Sequence, residues 1–373
     1  MKQRVLLLAL LVAWFAGQAS AASRTEKLER IIVSPDGKGF VTAKSKEAFR
    51  PWGMNYGNNH RLMEDFWDTE WETFAGDFRE MKALGANVVR VHLQYGKFME
   101  SPDKANAKAI KQYQRMVKLA EEVGIYLDVT GLACYRPADV PKWYDAMEEQ
   151  ERWAAQAKFW EIIAAAGKGS PAIFCYDLIN EPLSPGGKRE AGKWSSGNLF
   201  GGFDFLQYIA LDPAGRKRED IAAAWIRQLS AGIRRHDKET LITVGMLPWS
   251  RQWKHLSGFL PATVAKEMDF ISVHIYPDSK KPGEEMECLK QFVVGKPIVI
   301  EETFPLTCTV AELEKFLLAS REFACGWVGH YDGATIEEIN GFEKAGKMTI
   351  PQSVYREWQK LFLRLAPEML PKK

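Results

Sequence analysis

Two stretches of the chain end in carboxylates that could work on one bond. Tyr176-Asp177-Leu178-Ile179-Asn180-Glu181-Pro182 closes an apolar run with Glu181, and Lys296-Pro297-Ile298-Val299-Ile300-Glu301-Glu302 closes another with Glu301 and Glu302. Cleaving a glycosidic bond needs a general acid to protonate the leaving oxygen. It also needs a second carboxylate to attack the anomeric carbon or activate water. Two glutamates on either side of the bond supply both. Further polar groups sit where other apolar runs end: Asn55, with Asn58, Asn59 and His60 beyond it, then Arg90 and His92, His274 and Tyr276, and finally Trp327, His330 and Asp332. One polar end would mean little, but its recurrence along the chain marks a site.

Such chemistry needs elements that bring those ends together. The runs Pro51–Tyr56, Asn87–Leu93, Ile125–Thr130, Ala172–Ile179, Leu241–Gly245, Phe270–Ile275, Ile298–Glu301 and Gly326–His330 read as strands. They are apolar on both faces, as strands of a buried parallel sheet are. Helical patterns fall between them at Trp71–Leu84, Ala105–Val123, Glu148–Ala166, Arg218–His236, Val310–Ser320 and Pro351–Leu365, while the fifth and sixth helices are less clear. The alternation predicts an α/β fold, a single-domain (β/α)8 TIM barrel, whose chemistry gathers at the C-terminal ends of the strands. A doubly wound open sheet is the alternative, weakened by the lack of a Gly-x-Gly-x-x-Gly turn after the first strand. Ile31 to Phe49, with Asp36-Gly37 as a turn, predicts a short N-terminal β-hairpin.

At these residues the chain resembles glycoside hydrolase family 5, in the clan of retaining (β/α)8 glycosidases. The Asn180-Glu181-Pro182 segment is similar to the family's strand-four signature, which implies Glu181 as acid/base and Asn180 as holder of a sugar hydroxyl. The segment ending at Glu302 is similar to the strand that carries the nucleophile. Gly85-Ala86-Asn87-Val88-Val89-Arg90 resembles the strand-two segment whose Arg bonds the nucleophile. Val273-His274-Ile275-Tyr276 resembles the strand-six His-x-Tyr, and Trp327 resembles the strand-eight Trp under the bound sugar. Five motifs in order are a far stronger signal than Asn-Glu-Pro alone. Two departures stand out. Thr303-Phe304-Pro305 replaces the aromatic and Gly that often follow the nucleophile, so Glu301 competes with Glu302 and spacing from Pro297 selects Glu302. Asp128-Val129-Thr130-Gly131 lacks the family-like His, so one substrate contact has no residue assigned.

The resemblance implies double displacement: Glu302 attacks, held ionised by Arg90 and Tyr276, and Glu181 works first as acid, then as base. A raised pKa would keep Glu181 protonated near neutral pH. The expected substrate is a β-linked oligo- or polysaccharide, cleaved in the manner of an endo-β-mannanase or endo-β-glucanase. An exo-acting β-glycosidase and a non-catalytic carbohydrate-binding barrel are the alternatives. No His-Glu-x-x-His and no His-x-His near the first strand is present, so no metal and no cofactor are expected. Asn55 and His92 are further candidates for the site. Leu183 to Pro213 is long for a connection and rich in aromatics, which predicts a wall of the cleft. Within it Trp194, and after strand five Trp249, are candidate sugar platforms, since pyranose faces stack on aromatic rings.

Composition agrees with an ordinary globular enzyme: 373 residues, 46% hydrophobic and 26% charged. Lys2 and Arg4, the apolar run Val5 to Ala16 and Ala19-Ser20-Ala21 predict a signal peptide cleaved after Ala21, hence a secreted or periplasmic protein. Residues 22–373 are then the catalytic domain, expected to be a monomer with no membrane attachment. The chain carries 50 basic and 48 acidic side chains, and losing Lys2 and Arg4 leaves it near neutral. That argues against nucleic acid as a partner and suits a neutral sugar. Five cysteines have no metal-type spacing, and a Cys288–Cys308 bridge competes with simple burial.

Overall fold

The computed structural model describes residues 27–197, 200–248 and 257–372. The expected signal segment and Trp249 lie outside the described residues. Eight parallel strands close into a barrel. They are β1 (Trp52–Gly57), β2 (Val88–Gln94), β3 (Tyr126–Ala133), β4 (Ile173–Asn180), β5 (Leu241–Met246), β6 (Ile271–His274), β7 (Ile298–Glu302) and β8 (Gly326–Asp332). Closure comes from β8 pairing with β1, from Trp327 opposite Trp52 to Asp332 opposite Gly57. The fold is therefore the (β/α)8 barrel that the alternation predicts.

Around it run α1 (Trp71–Ala83), α2 (Ala107–Val123), α3 (Glu149–Gly167), α4 (Arg218–Arg234), α5 (Pro261–Val264), α6 (Glu284–Lys290), α7 (Val310–Ser320) and α8 (Ile350–Met369). Local chemistry sets their ends. Asn106 caps α2 by accepting from the Lys108 and Ala109 amides, and Gly124 ends it at φ 72°. Thr309 with Glu312 and Thr349 with Gln352 form capping boxes at α7 and α8. The fifth and sixth helices span only Pro261–Val264 and Glu284–Lys290, too short for an apolar period to show. An additional helix, Ile336–Lys344, follows β8 behind its own Thr335–Glu338 capping box.

Two elements differ from the expectation. β3 runs on to Ala133 rather than ending before Gly131. Gly131 does not break the strand; a Cβ there would stand 2.4 Å from the Trp160 ring of α3, so its bareness admits that ring. The N-terminal hairpin has a third strand, since Ala48–Phe49 pairs back onto Phe40–Val41. This small sheet closes the bottom of the barrel. Phe40 sets its ring edge-on against Phe174 and Phe270, both at 5.2 Å, in a cluster with Val88, Cys175, Val299 and Val328. Chemistry is thereby confined to the opposite, C-terminal mouth. All five cysteines are unpaired, so Cys288 and Cys308 form no bridge. Among the described residues no helix is long and apolar enough to cross a membrane.

Candidate active site

The site is built around Arg90, which β2 points into the barrel with no exposed surface. Its Nη1 donates to Glu302 Oε1 at 2.6 Å and to Asn55 Oδ1 at 2.8 Å. Its Nη2 donates to Asp177 Oδ2 at 2.7 Å and to Asn180 Oδ1 at 3.0 Å. A buried guanidinium is stable only among acceptors, and here three strands, β1, β4 and β7, supply four of them. Asn55 in turn donates through Nδ2 to the backbone oxygens of Glu301 and Gly329, tying β1 to β7 and β8.

Consecutive side chains of a strand normally face opposite ways, yet Glu301 and Glu302 both reach the interior. The pairing of β6 with β7 slips at this point, from Val273 opposite Ile300 to His274 opposite Glu302. Glu301 lies deeper, fully buried, and accepts from Ser272 Oγ at 2.9 Å. Glu302 stands at the mouth, where Tyr276 donates to its Oε2 at 2.6 Å. His330 sits 2.9 Å from the same Tyr276 hydroxyl. Burial alone would raise the Glu302 pKa, but His274, Arg90 and the Tyr276 hydrogen bond outweigh it and hold the carboxyl far below the usual range.

Glu181 leaves β4 with φ 46°, a left-handed conformation that a side chain tolerates only when its surroundings enforce it. Its amide donates to Gly245 O at 2.8 Å, and the turn sends the carboxylate into the mouth. There His274 Nδ1 lies 2.9 Å from Glu181 Oε1. One oxygen of Glu181, one of Glu302 and a nitrogen of His274 all lie within 4.8 Å of one another. Burial opposes a charged His274, but Glu302, Glu181 and Glu301 lift its pKa to about 10. His92 and His330 go the other way: burial first, then Arg90 and His274, keeps both imidazoles neutral.

A cleft of about 690 Å³ opens above this centre. Asn55, His92, Asn180, Glu181, Tyr276, Glu302 and His330 form its floor. Tyr135, missed in the sequence, stands beside them with its hydroxyl 2.5 Å from His92 Nδ1. It lies beyond β3, close to where the family-like His is missing; the apolar run continuing through Leu132, Ala133 and Cys134 was the available signal. The segment after β4 does form a wall, bringing Phe203, Phe205 and Leu206 to the cleft. Asp204 ties it down, accepting from Ser196 Oγ and the Gly197 amide, both at 2.6 Å, while its own amide donates to Tyr135 O at 2.8 Å.

Two expected sugar platforms are placed elsewhere. Trp327 is buried on the outer face of the barrel, its indole N–H donating to Ser320 Oγ of α7 at 2.8 Å. It stands at the start of β8, and the residue that β8 sends to the cleft is His330. Trp194 is buried too, with the Arg152 guanidinium 4.3 Å from its ring and its N–H donated to Asp145 O. Among the described residues the cleft is lined by Tyr and Phe rings and by no tryptophan.

A family model described as cellulase (glycosyl hydrolase family 5) matches residues 42–304. No curated protein matches the chain by sequence. Solved structures do match. An exo-β-1,4-mannosidase from Opitutaceae bacterium strain TAV5 superposes with TM-score 0.63 at 18% identity, covering 90% of this chain and 62% of the mannosidase chain. An endo-1,4-β-mannanase from Eisenia fetida gives 0.60 at 14% identity, covering 82% of this chain and 91% of its own. A GH5_18 protein from Bifidobacterium longum subsp. longum gives 0.62 at 15% identity, covering 86% and 79%. At such identities the likeness speaks for the fold.

Proposed function

The chain belongs to glycosyl hydrolase family 5 and is a glycosidase, and on that premise we propose that it is an exported, retaining β-glycoside hydrolase acting on β-1,4-linked mannosides. Glu302 is the nucleophile and Glu181 the acid/base. The observation that carries this reading is the pairing of their oxygens within 4.8 Å. Retaining enzymes set the two carboxyls about 5–5.5 Å apart, whereas inverting enzymes leave about 6.5–9.5 Å for a water between them.

Each residue then has a task. Arg90 and Tyr276 hold Glu302 as an anion with both oxygens aligned, ready to attack the anomeric carbon. Glu181 gives its proton to the leaving oxygen, and the Nδ1–H of His274 steadies the carboxylate that forms. Water then enters, Glu181 takes its proton, and the bond between Glu302 and the sugar breaks with configuration kept. Neutral His92 and Tyr135 beside Asn55 offer hydroxyl and imidazole groups to sugar hydroxyls.

The mannoside assignment is supported by the activities named for the similar structures, one of which was solved with Manβ1-4GlcNAc. An endo-acting β-mannanase is the primary reading. Exo action is favoured by the wall that residues 200–206 raise beside the catalytic pair. Incubation with mannan, cellulose, mixed-linkage glucan and aryl β-mannosides tests the substrate. Proton NMR of the first product tests the mechanism; the β-anomer should appear first, and an initial α-anomer would refute the assignment of Glu302 as nucleophile. Glu181→Gln should lower kcat by about 10²–10⁴ with the melting temperature kept.

A further inference from the structure

The proposed chemistry uses Glu181 and Glu302 and leaves Glu301 without a task, although it is the more deeply buried of the two neighbours. Glu301 is surrounded by groups from several strands. Ser272 Oγ donates to its Oε1 at 2.9 Å. Its Oε2 lies 3.4 Å from His274 Nε2 and 3.6 Å from Arg90 Nη2. Carboxylate oxygens of Glu301, Asp128 and Asp177 come within 4.8 Å of one another beneath the site. Gly245 on β5 leaves this junction open, since a Cβ there would stand 2.8 Å from both Arg90 Nη2 and Glu301 Oε2 and 2.9 Å from His274 Nε2.

Three buried acids share this space, and the cations are unevenly spread. Arg90 reaches Asp177 at 2.7 Å and Glu301 at 3.6 Å, and His274 faces Glu301. No donor reaches Asp128 Oδ1. A carboxyl so placed keeps its proton: burial, then the Glu301 charge, pushes Asp128 well above the usual range. A proton on Asp128 aimed at Glu301 satisfies both groups, and Glu301 itself is held ionised by Arg90 and His274 against burial.

We propose that Glu301 is a positioning residue that acts through His274: its carboxylate fixes the imidazole so that Nε2–H points down to Glu301 and Nδ1–H points up to Glu181. The line Glu301–His274–Glu181 is read from distances of 3.4 Å and 2.9 Å on opposite nitrogens of one ring. The ring has no exposed surface. With its orientation set, His274 presents a hydrogen to Glu181 at the moment Glu181 loses its own. In the second half of the reaction Glu181 regains a proton from water, and His274 keeps both of its hydrogens throughout. The charged and titratable groups that face His274 are Glu181 from the end of β4, Glu301 and Glu302 from β7, Arg90 and His92 from β2 and His330 from β8.

The catalytic part of this inference rests on Glu181 as the acid/base, but its first test does not. The side-chain nitrogens of His274 are followed by NMR over pH in the resting full-length mature enzyme, with the signal assigned by its loss in His274→Gln. In the wild type both nitrogens should stay protonated well above neutral pH. Glu301→Gln removes one of the anions beside the ring, and the midpoint should fall by about one unit or more. Glu301→Asp keeps the charge but draws it back, and should fall between the two. Asp128→Asn keeps a hydrogen-bond donor toward Glu301 and should titrate with the wild type. On an aryl β-mannoside, Glu301→Gln should lower kcat roughly 10–100-fold with KM nearly kept, a part of what general acid catalysis contributes. The alkaline limb of the pH profile should move down with the NMR midpoint. An unchanged His274 midpoint in Glu301→Gln overturns the proposal, and so does a loss of kcat whose pH limb stays in place. Failure to cleave any β-mannoside would sink the substrate reading and leave the NMR result to judge Glu301.

Discussion

At Glu302 and His274, opposite charges decide protonation against the pull of burial. Glu302 stays an anion because His274 and Arg90 outweigh its desolvation, and His274 stays a cation because Glu302, Glu181 and Glu301 outweigh its own. Such shifts are also statements about stability. The His274 pKa rises from 6.5 to about 10 on folding, so its contribution is fully present below about 6.5 and is lost as pH climbs through about 10. Melting curves of the wild type should therefore fall more steeply from neutral to alkaline pH than those of His274→Gln; parallel curves would deny that the imidazolium stabilises the fold. Glu302 acts in the opposite sense. Its lowered pKa contributes stability that is present above the ordinary carboxyl range and lost on acidification. The residue types and order in the sequence made this pair legible. Spacing from Pro297 selected Glu302 over Glu301, but it did not show that a register slip between β6 and β7 turns both carboxylates inward.

Among the elements, the strands carry the site and the helices hold the strands. Position 245 shows how closely the two roles meet. Gly245 ends an ordinary apolar run in the sequence, yet in the barrel it faces Arg90, Glu301 and His274 at once. Gly245→Ala should therefore cost about 1–3 kcal/mol by overpacking and also displace the charged network. Denaturant unfolding and kcat should both fall; a variant with wild-type values in both would show that the junction has slack. Elements with a strong apolar period were readable, and α2, α3, α4 and α7 lie within a residue or two of their expected bounds. α5 and α6 were not, since four and seven residues give no period to read. Trp327 misled for a related reason. A strand buried on both faces does not say which face a residue joins, and this one packs outward on α7.

Across the whole molecule the two ends of the barrel have separate tasks. The N-terminal sheet seals the bottom with Phe40, while the mouth holds the charged centre and the cleft. Phe40→Ala should destabilise the protein by about 3–5 kcal/mol, with KM and the pH profile kept; altered substrate kinetics would show that the plug communicates with the mouth. The sequence by itself determined the barrel, because eight apolar runs and the helices between them admit few other closures. It also determined that polar groups crowd the strand ends and that Glu181, framed by Asn180 and Pro182, is among them. Only the tertiary structure decided that both adjacent glutamates turn inward, which histidine is charged, and which aromatic rings line the walls. The physical reason is that strand order and alternation are local properties, whereas the facing of β6 and β7, the stacking of Asp128, Asp177 and Glu301 under Arg90, and the turning of Trp194 and Trp327 into packing depend on residues far apart in the chain.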